Sequence, residues 1–380
     1  MSRKYSLQVA CAGNANDVNC FGGLPYHLIE CGKSTGLIEG GIALGEEKFR
    51  ILCSRYLWNT GQYIKSRKIG GFQYSEAYLN LLWSGVELNP KSNGVLNIFQ
   101  LFPARQMQNN INKYFYLDQT IHDVLGYYEK GRCFGERWRA SIIDRERSQY
   151  MACEKVIFRS RWAADRAKGY YGLRDDKVAV VLPGANISQA ALLAFDRKEY
   201  VDNAWSGELK LIFIGKEWKR KGLDRLLHAM RLAKNDGALV ALTVVGVKPD
   251  DELKELSKGL SVSWIGYFNK SSNPSGFIDL LAAHHIGVLL SRSEAGGVSL
   301  REFGRAGLPV IAPDTGGSPE FAMSETAHLF APDAPGSAIA EVLITLAGDR
   351  RGLDALKRDA WARRREFDWC KSLRQISCLL

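Results

Sequence analysis

The chain has 380 residues, 46% of them hydrophobic and 24% charged, a composition that favours two domains with sizeable cores and excludes wholesale disorder. No apolar run approaches the roughly eighteen residues of a membrane span. The formal net charge of +10 suits anionic partners, whether phosphorylated substrates, an anionic membrane surface or nucleic acid, and does not by itself choose among them.

The opening MSRKYSLQVACAG is basic and then briefly apolar, and its alternation reads as a first strand rather than a secretory leader. Further strands are predicted at 94–100, 113–118, 155–159 and 177–182, after the first at 5–11. Helices are predicted near 24–35, 47–64, 142–153 and 161–171. The polar stretches around 84–94 and 195–208 read as connections. This gives an N-terminal domain over 1–190 and an interdomain linker over 191–208.

From residue 209 the alternation sharpens. Strands are predicted at 209–215, 239–245, 261–265, 286–290 and 309–312. Between the first two lies a helix over 222–234, where Leu223, Leu226, Leu227 and Met230 repeat with helical spacing. Near-continuous apolar strands alternating with helices mean parallel pairing with both faces covered. The C-terminal domain is expected over 209–355, and 356–380 as helices that return to the N-terminal domain.

Eight cysteines, Cys11, Cys20, Cys31, Cys53, Cys133, Cys153, Cys370 and Cys378, form no CxxC pair and fit no zinc site. They read as small core residues of a reduced, cytosolic protein. The richest basic stretch, Arg350, Arg351, Lys357, Arg358, Arg363, Arg364 and Arg365, reads as the solvated face of a helix. Docking on a membrane surface is its alternative.

Parallel sheets place ligand sites at the carboxyl ends of their strands. Directly after strand 209–215 comes GKEWKRKG (215–222), which sets Lys216, Lys219, Arg220 and Lys221 at the mouth of a strand–loop–helix turn. A helix start offers unpaired N–H groups and positive potential, so further cations there are unfavourable unless an anion binds. The plain alternative is an exposed basic loop. The second element is SRSEAGGVSLREFGRAGLPVIAPDTGG (291–317), with Glu294 in a loop, Gly296 and Gly297 freeing the backbone, and Glu302 in the following helix. Along one continuous helix these carboxylates would be about 12 Å apart, and the loop leaves their separation open. Carboxylates accept hydrogen bonds from sugar hydroxyls. The alternative makes Glu302 a dipole-complementing residue and Glu294 a solvated acid.

On these residues the sequence resembles the large family-four group of retaining glycosyltransferases with the GT-B fold. Glu294 to Glu302 looks like that family's E-x7-E motif, and RAGLPVIAPDTGG like the segment after it. GKEWKRKG resembles the basic, Lys-Gly pattern that binds a donor diphosphate. RSRWAADRAKGYYGLRDDKVAVVLPGANI (159–187) is similar to the region before the second domain, and Gly22-Gly23 to the N-terminal glycine loop. The resemblance implies an α/β protein of two Rossmann-like domains facing across a cleft. It also implies site residues: Glu294 at the donor hexose, Glu302 at the ribose, and Lys216, Lys221 and Arg220 at the diphosphate. Gly296, Gly297 and Val298 would line the sugar, and Gly266 and Tyr267 would lie near the base. Many members carry a histidine at the end of the central N-terminal strand. Here KYFYLDQT (113–120) puts Asp118 or Thr120 in that place, with His122 two residues on. Asp118 is the expected reaction-centre residue.

The implied activity is transfer of a hexose from a UDP- or GDP-sugar to a carbohydrate or lipid-linked acceptor in bacterial polysaccharide or glycoconjugate synthesis. The nucleotide sugar is a co-substrate, and no cofactor is expected. The chain has no Asp-x-Asp triplet, so no metal is expected either. Acceptor contacts are expected from 12–23 and 55–75. Peripheral contact with an anionic membrane would suit the charge. Three other readings stand beside this one. A glycoside hydrolase would use the two glutamates as its pair, but the adjoining cations favour a diphosphate. A nucleic-acid-binding protein would need a recognisable module or aromatic stripe, and neither is present. A relative that binds sugar nucleotide without catalysis is the third.

Overall fold

A computed structural model describes residues 6–45, 47–127, 135–200 and 207–380. The chain divides into two units: an N-terminal unit of Met1–Leu182 with Ser372–Leu380, and a C-terminal unit of Pro183–Lys371.

The N-terminal unit holds strands β1 (Leu7–Ala10), β2 (Ile38–Gly41), β3 (Gly94–Asn97), β4 (Asn112–Leu117), β5 (Lys155–Phe158) and β6 (Val178–Val180). They form one sheet in the order β2-β1-β3-β4-β5-β6, every pair parallel. The central strands are mostly apolar and almost wholly buried, as a sheet covered on both faces requires, with Gln8, Asn97 and Lys113 the buried polar exceptions. Phe115, Leu117, Val156 and Phe158 pack with Tyr150, Tyr171 and the alanine face of the helix Arg161–Tyr171. That helix starts where the Ser160 hydroxyl accepts from the Ala163 N–H and stops at Gly172, whose φ is 65°. Side-chain cap and left-handed glycine are the ordinary punctuation of a helix.

The C-terminal unit repeats the plan with β7 (Leu209–Ile214), β8 (Val240–Val245), β9 (Ser261–Gly266), β10 (Ile286–Val288), β11 (Val310–Pro313) and β12 (Ala327–Phe330). Its order is β12-β11-β10-β7-β8-β9, again wholly parallel. The helix Leu223–Asn235 buries Leu223, Leu226, Leu227 and Met230 against β7, β8 and β10.

Three boundaries differ from the sequence reading. The units part between Leu182 and Pro183, ahead of the expected 190. The expected linker over 191–208 begins inside a helix, Gln189–Phe195, that belongs to the C-terminal unit; residues 201–206 lie outside the described residues. Its polar appearance came from charges that are internal partners: Asp196 accepts from the buried Arg305 at 2.9 Å. The expected division at 355 falls within the helix Arg350–Arg363. Of the tail, Ser372–Leu380 groups with the N-terminal unit, where Ser372 Oγ donates to the Leu182 carbonyl at 2.6 Å.

Candidate functional site

In the C-terminal unit the basic loop follows β7 and ends at Gly222, which precedes the helix Leu223–Asn235 with φ 75°. Only glycine fits there, because a Cβ would stand 2.1 Å from the Leu290 carbonyl oxygen. The loop is stitched to the chain beyond β10. Leu290 N–H donates to the Lys221 carbonyl at 3.2 Å, and Arg292 N–H to the Arg220 carbonyl at 2.8 Å. Arg292 also reaches Asp224 in the helix's first turn, at 2.7 Å. The two sequence elements that carry charge are thus one connected surface.

The side chains converge on Glu294. Arg220 Nη1 donates to Glu294 Oε2 at 3.2 Å and to the Ser293 carbonyl at 2.9 Å, while Ser291 Oγ donates to the same carboxylate at 3.2 Å. Lys221 Nζ lies 4.0 Å from that oxygen, and both groups are largely buried. Burial opposes the charge on Arg220, but Glu294 and Glu217 outweigh it and hold the guanidinium above its ordinary value. The unfavourable accumulation of cations at the helix start is relieved by local partners. Lys219 pairs with Glu252 and Arg220 with Glu217, both at 2.6 Å, and Lys216 Nζ sits 5.6 Å from the centre of the Tyr267 ring.

Gly296 and Gly297 follow Glu294, and Gly297, with φ 93°, opens the helix Val298–Arg305. Glu302 lies in that helix, buried, and accepts from Lys270 Nζ at 2.6 Å. Lys270 and Ser291 were missed by the sequence reading. A single lysine after β9 carries no spacing that ties it to a glutamate thirty-two positions on, and Ser291, though it opens the segment 291–317, was given no role. The Ser299 and Ser318 hydroxyls, at the openings of neighbouring helices, are buried without a hydrogen-bond partner. Gly266, with φ 66°, ends β9, and exposed Tyr267 follows it. Lys216, Arg220, Lys221, Glu294, Gly296, Gly297, Val298, Glu302, Gly266 and Tyr267 therefore all lie at, or just beyond, the carboxyl ends of β7, β9 and β10.

The remaining expected residues belong to the N-terminal unit. Gly22 and Gly23 have φ values of 66° and 86° in a turn leading into the helix Leu24–Thr35, and Phe21 beside them is left-handed too, with φ 48°. Asp118 follows β4, its Oδ2 3.8 Å from Arg159 Nη1. Thr120 caps the helix Ile121–Gly126, accepting from the Asp123 N–H. His122 lies against the Tyr170 ring, with centroids 3.8 Å apart. Burial pushes its imidazole below the ordinary value; Arg139 and Arg166 add to this and Asp123 opposes it. Of the expected acceptor stretch 55–75, the first half is not a loop: it continues the helix Lys48–Ser66.

This geometry is a cation-lined, glycine-rich strand edge with one buried carboxylate, Glu302, and one partly buried, Glu294. Residues 208–349 match the glycosyl transferases group 1 family. Among curated proteins, the D-inositol 3-phosphate glycosyltransferase of Streptomyces bingchenggensis (strain BCW-1) is 27% identical over 241 residues, 58% of this chain and 51% of that protein. The protein of the same name from Rhodococcus erythropolis (strain PR4 / NBRC 100887) is 28% identical over 155 residues, 39% of this chain and 35% of that protein. The matches thus span about half, or less, of the length of these relatives.

Solved structures resemble the chain over nearly its whole length. Sucrose-phosphate synthase from Thermosynechococcus elongatus has a TM-score of 0.65 at 16% identity, covering 99% of this chain and 98% of that one. Anabaena HepE in complex with UDP and glucose gives 0.59 at 15%, covering 98% of each. WaaG, a glycosyltransferase involved in lipopolysaccharide biosynthesis, gives 0.57 at 14%, covering 97% and 98%. The fold is that of the GT-B glycosyltransferases.

Proposed function

We propose that the protein is a retaining glycosyltransferase that moves a hexose from a UDP- or GDP-sugar to an acceptor hydroxyl. The observation that carries this reading is the meeting of Arg220 and Lys221 on Glu294 at the carboxyl edge of the C-terminal sheet, inside the segment that matches glycosyl transferases group 1. Breaking the anomeric C–O bond leaves positive character on the sugar and negative charge on the departing diphosphate. Lys216, Arg220 and Lys221 would stabilise that charge more in the transition state than in the ground state. In this reading Glu294 holds hexose hydroxyls, Glu302 holds the ribose, and Gly296, Gly297 and Val298 line the sugar. Gly266 and Tyr267 lie by the base. Gly22, Gly23 and Asp118 serve the reaction from the N-terminal unit.

The reading requires neither metal nor cofactor, because side-chain cations do the work a metal would do on the diphosphate. The acceptor is a carbohydrate or a lipid-linked intermediate, and the pathway one of bacterial cell-surface polysaccharide or glycoconjugate synthesis.

The test is thermal stability of the full chain against UDP, GDP, ADP, TDP and CMP. A ligand at about a hundred times its dissociation constant adds roughly 2.7 kcal/mol, a readable shift of the midpoint. A shift with one diphosphate that disappears in Lys221→Ala and Glu302→Ala supports the donor site and names the base. No shift with any of the five overturns it.

A further inference from the structure

The helix Lys48–Ser66 is unusual in that none of its 19 residues is buried. Phe49, Leu52, Tyr56, Leu57, Tyr63 and Ile64 recur at helical spacing along one stripe, and their exposures run from 51% to 79%. The opposite edge, through Ile51, Ser54, Trp58 and Gln62, is the half-buried one. There Trp58 packs against Trp138 with ring centroids 4.9 Å apart and planes tilted by 56°, and its Nε1 donates to the Gly70 carbonyl at 3.0 Å. A helix of a globular protein turns its apolar stripe to the core. This one is fastened by a tryptophan and faces outward with the stripe that should be hidden, extended by exposed Ile69.

The charges around the stripe are of one sign. Lys48, Arg50, Arg55, Lys65, Arg67 and Lys68 are all exposed, and no acid occurs from 48 to 75. Arg50 meets Glu47, just outside the segment, at 2.9 Å, and Arg67 lies over the Tyr63 ring. The other basic stretch differs. There Arg358 pairs with Asp354, Arg363 with Asp359, and Arg364 and Arg365 with Asp196. Its cations are interlaced with acids.

We infer that Lys48–Ser66 is a membrane-docking helix that lies in the plane of an anionic phospholipid bilayer. The apolar stripe enters the acyl boundary while the surrounding cations meet lipid phosphates. An outward apolar stripe on a segment whose own charges, from 48 to 75, are all cationic has the chemistry of that interface, and a purely apolar protein groove would not call for the charge. No helix among the described residues is long and apolar enough to cross a membrane, so the attachment is to one face. It does not depend on the reading of the C-terminal unit.

The experiment is co-sedimentation of the full chain with phosphatidylcholine vesicles, with and without about 30% phosphatidylglycerol, paired with size-exclusion chromatography. Binding is expected only to the anionic vesicles, and about tenfold weaker at high salt. The variant Leu52→Ser/Leu57→Ser/Ile64→Ser should bind at least roughly tenfold more weakly with an unchanged melting temperature, since these side chains support no core. The separate variant Lys65→Glu/Arg67→Glu/Lys68→Glu should lose the preference for anionic vesicles. The inference is overturned by absence of binding to the anionic vesicles, or by both variants binding them as tightly as wild type does. It is also overturned by a wild-type dimer that the serine variant converts to monomer, because the stripe is then covered by a second copy.

Discussion

Arg220 and Glu294 lie on different loops and are joined by a 3.2 Å hydrogen bond from Nη1 to Oε2. The carboxylate therefore occupies the attention of a cation that the proposed diphosphate would also use, with Lys221 4.0 Å away. Charge-assisted hydrogen bonds contribute about 1.5–3 kcal/mol. Arg220→Ala should accordingly weaken binding of the nucleoside diphosphate by about ten- to a hundredfold. Glu294→Gln keeps the shape and removes the competing charge. It should bind the same diphosphate equally well or more tightly while turnover with the sugar donor drops by about a hundredfold or more. Titration calorimetry and initial rates measure the two effects, and a Glu294→Gln protein that loses both together contradicts the assignment.

Gly316 holds the loop of Glu294 from behind. Its φ is 59°, and a Cβ there would stand 1.7 Å from the Glu294 carbonyl oxygen, a backbone atom with no rotamer to escape through. Gly316→Ala should cost about 1–3 kcal/mol in urea denaturation and reduce turnover even where the protein stays folded. Gly169 is the control: it is exposed within the helix Arg161–Tyr171, and its Cβ would meet nothing within 4 Å. Gly169→Ala should be neutral or stabilising by about 0.5–1 kcal/mol.

The pair Lys270–Glu302 is lopsided in its exposure, 27% against 4%. Removing Glu302 leaves a lysine that can swing into water, whereas removing Lys270 strands a buried carboxylate. Lys270→Ala should therefore destabilise more than Glu302→Ala, by about 2–3 kcal/mol against about 1. Denaturation midpoints decide it, and the reverse order would mean that Glu302 is not confined as described.

Glu146 supplies a pH dependence. It is fully buried, accepts from the Tyr150 and Tyr171 hydroxyls, and caps the helix Ile121–Gly126 through the Ile121 N–H at 2.9 Å. Burial pushes its carboxyl up from 4.5 to about 7, with those hydrogen bonds opposing. A carboxyl raised in the folded state stabilises most below its unfolded value, and the contribution fades as pH rises through the folded one. Wild type should thus lose stability relative to Glu146→Gln between pH 4.5 and 7, by up to about 3 kcal/mol. Melting curves of both proteins across this range test it, and parallel curves would refute it.

Glycosyl transfer, if the cations replace a metal, should persist in excess chelator. Activity that vanishes with EDTA and returns with manganese would show that the diphosphate needs a divalent ion.

Much of this architecture was legible because the sequence punctuates it. Helices predicted near 24–35 and 161–171 are found at Leu24–Thr35 and Arg161–Tyr171, where Gly36, Ser160 and Gly172 mark their ends. Strand β2, Ile38–Gly41, went unseen because IEGG offers one aliphatic side chain and no alternation. The charged loops around Lys221 and Glu294 were readable as adjacent strand ends, since a parallel sheet sends its carboxyl edges one way. Lys270 was not, because it meets Glu302 only through the tertiary fold. Glu146 drew no reading from the sequence, because its tyrosine and Ile121 N–H partners meet it only in the folded chain. The helix Lys48–Ser66 shows the limit of periodicity. A moment reveals that a helix has an apolar side, and not which way that side will point.

The bond from Ser372 to the Leu182 carbonyl has a bearing on biosynthesis. The chain leaves the N-terminal unit and returns to it at neighbouring points, so Pro183–Lys371 is an insertion within the unit that precedes it. Leu373 and Ile376 on the returning helix are buried. As the polypeptide emerges from the ribosome, the inserted unit is complete first. The unit begun earlier waits, its packing unfinished, until the returning helix arrives.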